Sequence, residues 1–283
     1  MSSPKHYLVL FFLFCISSKG YMQLKYVEKY PDGQIKIESY IKDNSLDSIY
    51  IEYHSNGRIK IEGRFKNCNT KNMSAQGHNK EGQTPLYYKD ELKISPGKRH
   101  DLWIEYYENA VIRSKIYYNV GLRHGNSLFY DRNGKLKSSH YHIADKEISM
   151  HKFRSDGGLE LSKAYFYNFN KGPNRKLKMT LLWEFHTDGA LKIQRETQLS
   201  EDNVQRESLK EYYADGILKT ETEFLNGNRD GIHREYHKNS NPKYEGTFKE
   251  GKAVNKHHHY NLKGQKTSTE YWYNGKLLGV EKH

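Results

Sequence analysis

Apolar and polar residues alternate along most of this chain with a period of two. The alternation is plain in Arg58–Phe65 (RIKIEGRF) and Thr220–Phe224 (TETEF), and it predicts half-buried β-strands that keep Lys, Glu and Thr in water. The alternating stretches come in pairs around a recurring segment, E-Y-x-x-(N/D)-G-x-(I/L)-K. It stands at Glu52 (EYHSNGRIK), Glu184 (EFHTDGALK), Glu211 (EYYADGILK) and Phe129 (FYDRNGKLK), with looser copies at Lys29, Glu105, Lys152, Glu235 and His259. Their turn positions are Gly33, Gly57, Ala110, Gly134, Gly157, Gly189, Gly216, Ser240 and Gly264, spaced 24, 53, 24, 23, 32, 27, 24 and 24 residues apart. A unit of about 24 residues therefore runs from the first copy to the last.

Each unit reads as a β-hairpin. Asn-Gly and Asp-Gly supply the left-handed backbone that tight hairpin turns demand. Four residues before the turn position stands Tyr53, Tyr106, Tyr130, Phe153, Phe185, Tyr212, Tyr236 or Tyr260, and the regularity of these aromatics marks them as the expected core. The links between hairpins have their own signature, an aromatic three residues before a glycine: Tyr118 and Gly121, Phe224 and Gly227, Phe248 and Gly251, Trp272 and Gly275. A second Gly, or Asn255 in one copy, follows four residues later, and such pairs let the chain turn from one hairpin into the next without strain. The pattern predicts an all-β protein: an elongated, curved array of about nine antiparallel hairpins, without substantial helix beyond the N-terminal segment.

The full pattern, carried most completely from Phe224 through Tyr236, resembles the MORN repeat variant family of bacterial secreted and envelope proteins. The resemblance spans roughly residues 24 to 283 and implies an array of hairpins. Some members of that family are labelled antitoxins, so an antitoxin-like or immunity protein is one functional reading. Two stretches depart from the repeat: an insertion loop at about 67–98, with a short strand expected at Leu86–Tyr88, and a smaller one at about 166–178.

The N-terminus changes the picture of where the protein works. Lys5 and His6 precede an apolar run from Tyr7 to Ile16, and Ser18 and Gly20 then satisfy the small-residue rule for cleavage before Tyr21. This predicts a signal peptide at 1–20 and one repeat domain at 21–283 in a secreted, periplasmic or envelope protein, with no transmembrane span in the mature chain. Phe14 before Cys15 disfavours lipid anchoring there. Removing Lys5 and Lys19 changes the formal charge from 46 − 34 = +12 to 44 − 34 = +10 and leaves Cys68 as the single thiol, so no internal disulfide is expected. Thirty-eight aromatics against seven alanines oppose both a helical bundle and intrinsic disorder.

Reactive chemistry is sparse. The sequence holds no P-loop, dinucleotide fingerprint, nucleophile elbow or HExxH helix. Glu52, Glu105, Glu184, Glu211 and Glu235 recur at one register, which predicts a ladder of Glu beside Lys or Arg. Of the 15 histidines, His140 with His142, and His257 with His259, share strand faces, while His233 and His237 flank Glu235. Zinc needs three or four converging ligands, so no metal and no cofactor is expected. Lys36, Lys60, Arg113, Lys137, Lys192, Lys219 and Lys243 each stand three residues after a turn. They are the candidate site, a basic row for an anionic envelope surface of lipid headgroup or polysaccharide, with Glu38, Glu62, Glu221 and Glu245 placed to neutralise it. Export disfavours nucleic acid as the partner. The expected function is a non-enzymatic exported scaffold for a protein partner or an envelope surface, and an extracytoplasmic glycan-acting enzyme would need paired carboxylates in a pocket.

Overall fold

In the computed structural model, the described residues are 24–42, 45–66, 88–89, 92–93, 97–167 and 176–283. The expected signal peptide, Cys15, Cys68, most of the insertion at 67–98 and residues 168–175 lie outside them. The described chain is all-β and contains no helix. It divides into two compact units, Met1–Glu147 and Ile148–His283.

The first unit holds β1 (Leu24–Lys29), β2 (Ile35–Lys42), β3 (Ser45–Tyr53), β4 (Ile59–Lys66), β7 (Lys98–Tyr106), β8 (Ile112–Asn119), β9 (Leu122–Tyr130) and β10 (Leu136–Ile143), each antiparallel to the next in this order. Within the insertion, β5 (Tyr88–Lys89) and β6 (Leu92–Lys93) form a separate two-stranded ladder. The expected short strand thus begins at Tyr88, and Leu86 lies outside the described residues.

The second unit runs from β11 (Lys146–Phe153) through β12 (Leu159–Tyr167), β13 (Leu177–Phe185), β14 (Leu191–Leu199), β15 (Gln205–Tyr212), β16 (Leu218–Leu225), β17 (Asn228–Tyr236), β18 (Pro242–Lys249), β19 (Lys252–Tyr260), β20 (Lys266–Tyr273) and β21 (Lys276–Lys282). These strands also pair antiparallel in chain order.

All nine predicted turns are present, built differently from the two-residue turn that Asn-Gly suggests. The loop has three residues. In the first, the Tyr30 N–H donates to the Gln34 carbonyl and the Gly33 N–H to the Tyr30 carbonyl, at 2.8 and 2.9 Å. Only Gly33 is left-handed (φ 90°), while Asp32 accepts the Gln34 N–H at 3.0 Å. The Asp or Asn is selected as a side-chain cap of the turn and the Gly for its backbone, so the dipeptide carries two separate signals. A tenth turn of the same bonding, Ser200–Val204 with Asn203 left-handed, joins β14 to β15 and carries no Gly. The two-residue turns lie instead at the links: Asn226 and Gly227, and Asn274 and Gly275, have φ near +50° and +82°. The second link residue, Gly125, Gly231 or Asn255, is also left-handed, and it sits where the register shifts between Ile116 and Tyr118, Thr222 and Phe224, or Glu245 and Thr247.

The core is not made of the repeat aromatics. All eight of them are half-buried, and the phenols of Tyr53, Tyr106 and Tyr212 reach Glu38, Glu62 and Gln194. Tyr53 stands three residues after the buried Tyr50 of its own strand, Tyr106 after Trp103 and Tyr236 after His233, and an odd spacing along a strand puts the aromatic on the opposite face. Among the described residues, the buried apolar side chains all lie in the first unit: Ile37, Ile41, Leu46, Tyr50, Phe65 and Trp103. Gly63 admits the Trp103 indole, whose Nε1–H donates to the Arg64 carbonyl at 3.1 Å.

Candidate functional site

The bulge beside each turn decides where the basic row points. In the first hairpin, Glu28 pairs with Ile37 and Lys29 with Ile35, so Lys36 is opposite no residue. Lys60, Arg113, Lys137, Lys192, Lys219 and Lys243 occupy the same extra position in their hairpins. The row read from the sequence is therefore a row of bulge residues. An extra residue swings its side chain across the ladder, and four of the seven meet a glutamate of the same hairpin: Lys36–Glu28 at 2.8 Å, Lys60–Glu52 at 2.7 Å, Arg113–Glu105 at 3.0 Å and Lys243–Glu235 at 2.8 Å. In one hairpin the signs are reversed, with Glu160 in the bulge and Lys152 opposite at 2.7 Å.

The expected glutamate ladder holds at Glu52, Glu105 and Glu235, whereas Glu211 accepts the Thr220 hydroxyl at 3.0 Å. Glu38, Glu221 and Glu245 neutralise a different set, Lys25, Lys210 and Arg234, and Glu62 accepts the Tyr106 phenol. Lys137, Lys192 and Lys219 are exposed and make no ion pair among the described residues.

These contacts shape the local electrostatics. Hydrogen bonding to Glu52 holds Lys60 above the usual lysine range, and Glu235 does the same for Lys243. Burial pushes the Glu235 carboxyl up, but Lys243 and His233 beside it outweigh burial and leave it below the ordinary carboxylate value. Burial, followed by the Glu62 charge, pushes the Tyr106 phenol up to about 12.

A second repeating contact was not anticipated. In six of the nine turns the residue that opens the turn staples its hairpin to a later one: Tyr30 Oη donates to the Tyr53 carbonyl at 2.7 Å, Tyr107 to Tyr130 at 2.9 Å and Tyr213 to Tyr236 at 3.0 Å. His54, His186 and His237 do the same through Nε2, to Tyr106, Tyr212 and Tyr260 at 3.1–3.2 Å. A carbonyl only accepts, so each of these imidazoles carries its proton on Nε2. The signal was in the sequence, since Tyr or His directly follows the repeat aromatic in five of these six copies and Lys29 in the first, but period-two logic assigns that position to a loop.

Two open depressions carry candidate groups. One, of about 390 Å³ in the first unit, is lined by Ile49, Ile51, Leu102 and Ile104 with Glu62 and Arg64. The other, of about 270 Å³ in the second, contains Glu196, Glu207, Glu223 and Asp230. These carboxylates are already engaged: Glu207 with Arg195 at 3.4 Å, Glu196 with the Gln198 amide, Glu223 with the Ile232 N–H and Asp230 with the Glu250 N–H. Among the described residues, no three His, Cys, Asp or Glu side chains converge to hold a metal. His140 and His142 stack with ring centroids 6.2 Å apart, and His257 and His259 both flank Tyr244. No helix among the described residues is long and apolar enough to cross a membrane.

Three stretches of the chain, 46–67, 123–143 and 229–250, match the MORN repeat variant profile. Each spans one hairpin with its three-residue turn, so the resemblance read from the repeat is shown at these positions. No curated protein matches the chain. Among solved structures, a porin-like protein from Bacteroides uniformis aligns over 90% of this chain and 91% of its own, at 11% identity and a TM-score of 0.27. A TcdB2-TccC3 structure aligns over 90% of this chain at 10% identity and a TM-score of 0.16, and the chain spans 18% of its length.

Proposed function

We propose that this protein is an exported, non-enzymatic repeat scaffold that presents the outer surface of its hairpins to an anionic envelope surface. One observation carries the reading: an ionisable group stands at the bulge position of eight of the nine repeat hairpins, and five of the eight are spent on contacts within their own hairpin, leaving Lys137, Lys192 and Lys219 as exposed cations of the bulge row. Non-enzymatic repeat modules use an extended surface where enzymes use a pocket. The engaged carboxylates of the acidic depression support the scaffold over a glycan-acting enzyme, which would need two carboxyl groups aimed at a substrate. Export rests on the basic, apolar and small-residue order of positions 5–20.

Co-sedimentation with vesicles of anionic lipid tests this reading. Binding is expected at an ionic strength of ~0.01 M and release near ~0.15 M, where the Debye length shrinks from about 30 to about 8 Å. The triple variant Lys137→Gln, Lys192→Gln, Lys219→Gln should bind several-fold more weakly. Absence of binding at low salt, or equal binding by the triple variant, would leave the basic row with no role beyond solubility.

A further inference from the structure

The two units place different chemistry at the same core positions. Around the bulge residues Ser48 and Asp101, the first unit packs Tyr50, Phe65 and Trp103, with Gly63 making room for the indole. Around the corresponding Gly231 and Asn255, the second unit packs His233, Phe248 and His257, with Gly246 making room for the imidazole. Tyr50 pairs with Ser39 on one side and Gly63 on the other, and His233 pairs likewise with Thr222 and Gly246. A tyrosine and a tryptophan are thus replaced by two histidines. The consequence reaches the whole unit: among its described residues the buried side chains are Thr222, His233, His257 and Thr269, all polar.

Both imidazoles are buried and hydrogen-bonded within this core. His257 is 1% exposed; Nε2 lies 2.9 Å from the Thr247 carbonyl, Nδ1 lies 2.6 Å from Tyr244 Oη, and the ring stands within 6 Å of Phe248 and Trp272. Dipoles and aromatic rings surround it, and no carboxylate meets either nitrogen. His233 is 6% exposed, with Nδ1 2.7 Å from Thr222 Oγ1 and its face on Tyr244 and Phe248. The charged groups around this pair come from three strands. On β17, Glu235 lies 3.5 Å from His233 Nε2 and Arg229 covers the Phe248 ring; on β18, Lys243 engages Glu235; on β20, Glu270 faces His259. Burial first, and the Arg229 charge second, hold His233 below the ordinary histidine range. Burial and then the Glu270 charge push the Tyr244 phenol up to about 12, so it remains a neutral hydroxyl beside His257.

We infer that the His233–Phe248–His257 core makes β16 to β20 an acid-sensitive element, closed near neutral pH and loosened when the buried His233 imidazole must accept a proton, while the Tyr50–Phe65–Trp103 core of the first unit stays closed. The sign follows from linkage. A histidine whose pKa is lowered in the fold binds its proton more tightly when unfolded, so stability is complete above the unfolded value near 6.5 and falls as pH drops below it. One such group shifts the open-to-closed ratio by up to about tenfold per pH unit.

Hydrogen exchange on the whole chain at several pH values, corrected for intrinsic exchange chemistry, tests the inference. Between pH ~7.5 and ~5.5 protection in β16–β20 should fall by up to about tenfold for one proton, with protection in β3, β4 and β7 unchanged. The variant His233→Tyr, which restores the kind of ring used in the first unit, should flatten the fall. Equal loss in β3, β4 and β7, no loss, or a loss that survives His233→Tyr would overturn the proposal. Should His233→Tyr fail to fold, the imidazole resonance of His233 in the unaltered protein decides: titration at an ordinary histidine value while β16–β20 stay protected also overturns it.

Discussion

Gly63→Ala tests how tightly the first core is specified. A Cβ at this position would stand 2.3, 2.5 and 2.7 Å from Cδ2, Cε2 and Cγ of Trp103, against about 3.5–4.0 Å for an ordinary carbon contact. The indole would have to retreat by roughly 1 Å to restore that separation. It has nowhere to go: it is 3% exposed, stands edge-on to Phe65 at 4.8 Å, and packs on Tyr50 at 5.6 Å. Retreat would also stretch the 3.1 Å bond from Nε1 to the Arg64 carbonyl, worth about 0.5–1.5 kcal/mol. Overpacking of a filled core costs about 1–3 kcal/mol, and Ala recovers about 0.4–1 kcal/mol by restricting the unfolded chain. The expected net loss is about 2 kcal/mol, near thirtyfold in the folded-to-unfolded ratio. Urea denaturation followed by hydrogen exchange in β3, β4, β7 and β8 measures it. Trp103→Leu combined with Gly63→Ala should lose less than the sum of the two single changes, because the new methyl enters space the indole vacates. A stability for Gly63→Ala equal to the parent, or full additivity in the double variant, would refute the close-contact argument.

Two further contacts make separate predictions. Tyr213→Phe removes the staple to the Tyr236 carbonyl and should cost about 1 kcal/mol, seen as a roughly fivefold loss of exchange protection in β15–β17 and almost none in the first unit. Lys243→Gln should lower stability by less than about 1 kcal/mol because both partners are substantially exposed, and should raise the Glu235 titration toward the ordinary carboxylate value. With Lys243 in place, the depressed Glu235 contributes stability above the unfolded carboxylate value that is lost as pH falls through its folded one, which carboxyl-resolved NMR titration reads directly.

Much of this protein was legible in the chain itself. Strand class, hairpin periodicity and the location of nine turns follow from a period of two and from Asp/Asn-Gly, because alternation and left-handed glycine are local properties that neighbouring residues largely determine. The partnership of Glu52, Glu105 and Glu235 with basic residues was also readable, since both members sit beside one turn. The tertiary structure decided what depends on register. A one-residue bulge after the repeat turns moved Lys36, Lys60, Arg113 and Lys243 onto their own hairpin's glutamates, while Tyr53, Tyr106 and Tyr212 face away from the buried row, in contact with Glu38, Glu62 and Gln194. The core passed instead to Tyr50 and Trp103 in one unit and to His233 and His257 in the other. None of these positions stands out in the repeat, because burial is set by which row of side chains faces the neighbouring strands. A slip of one residue exchanges those rows without altering a single local propensity.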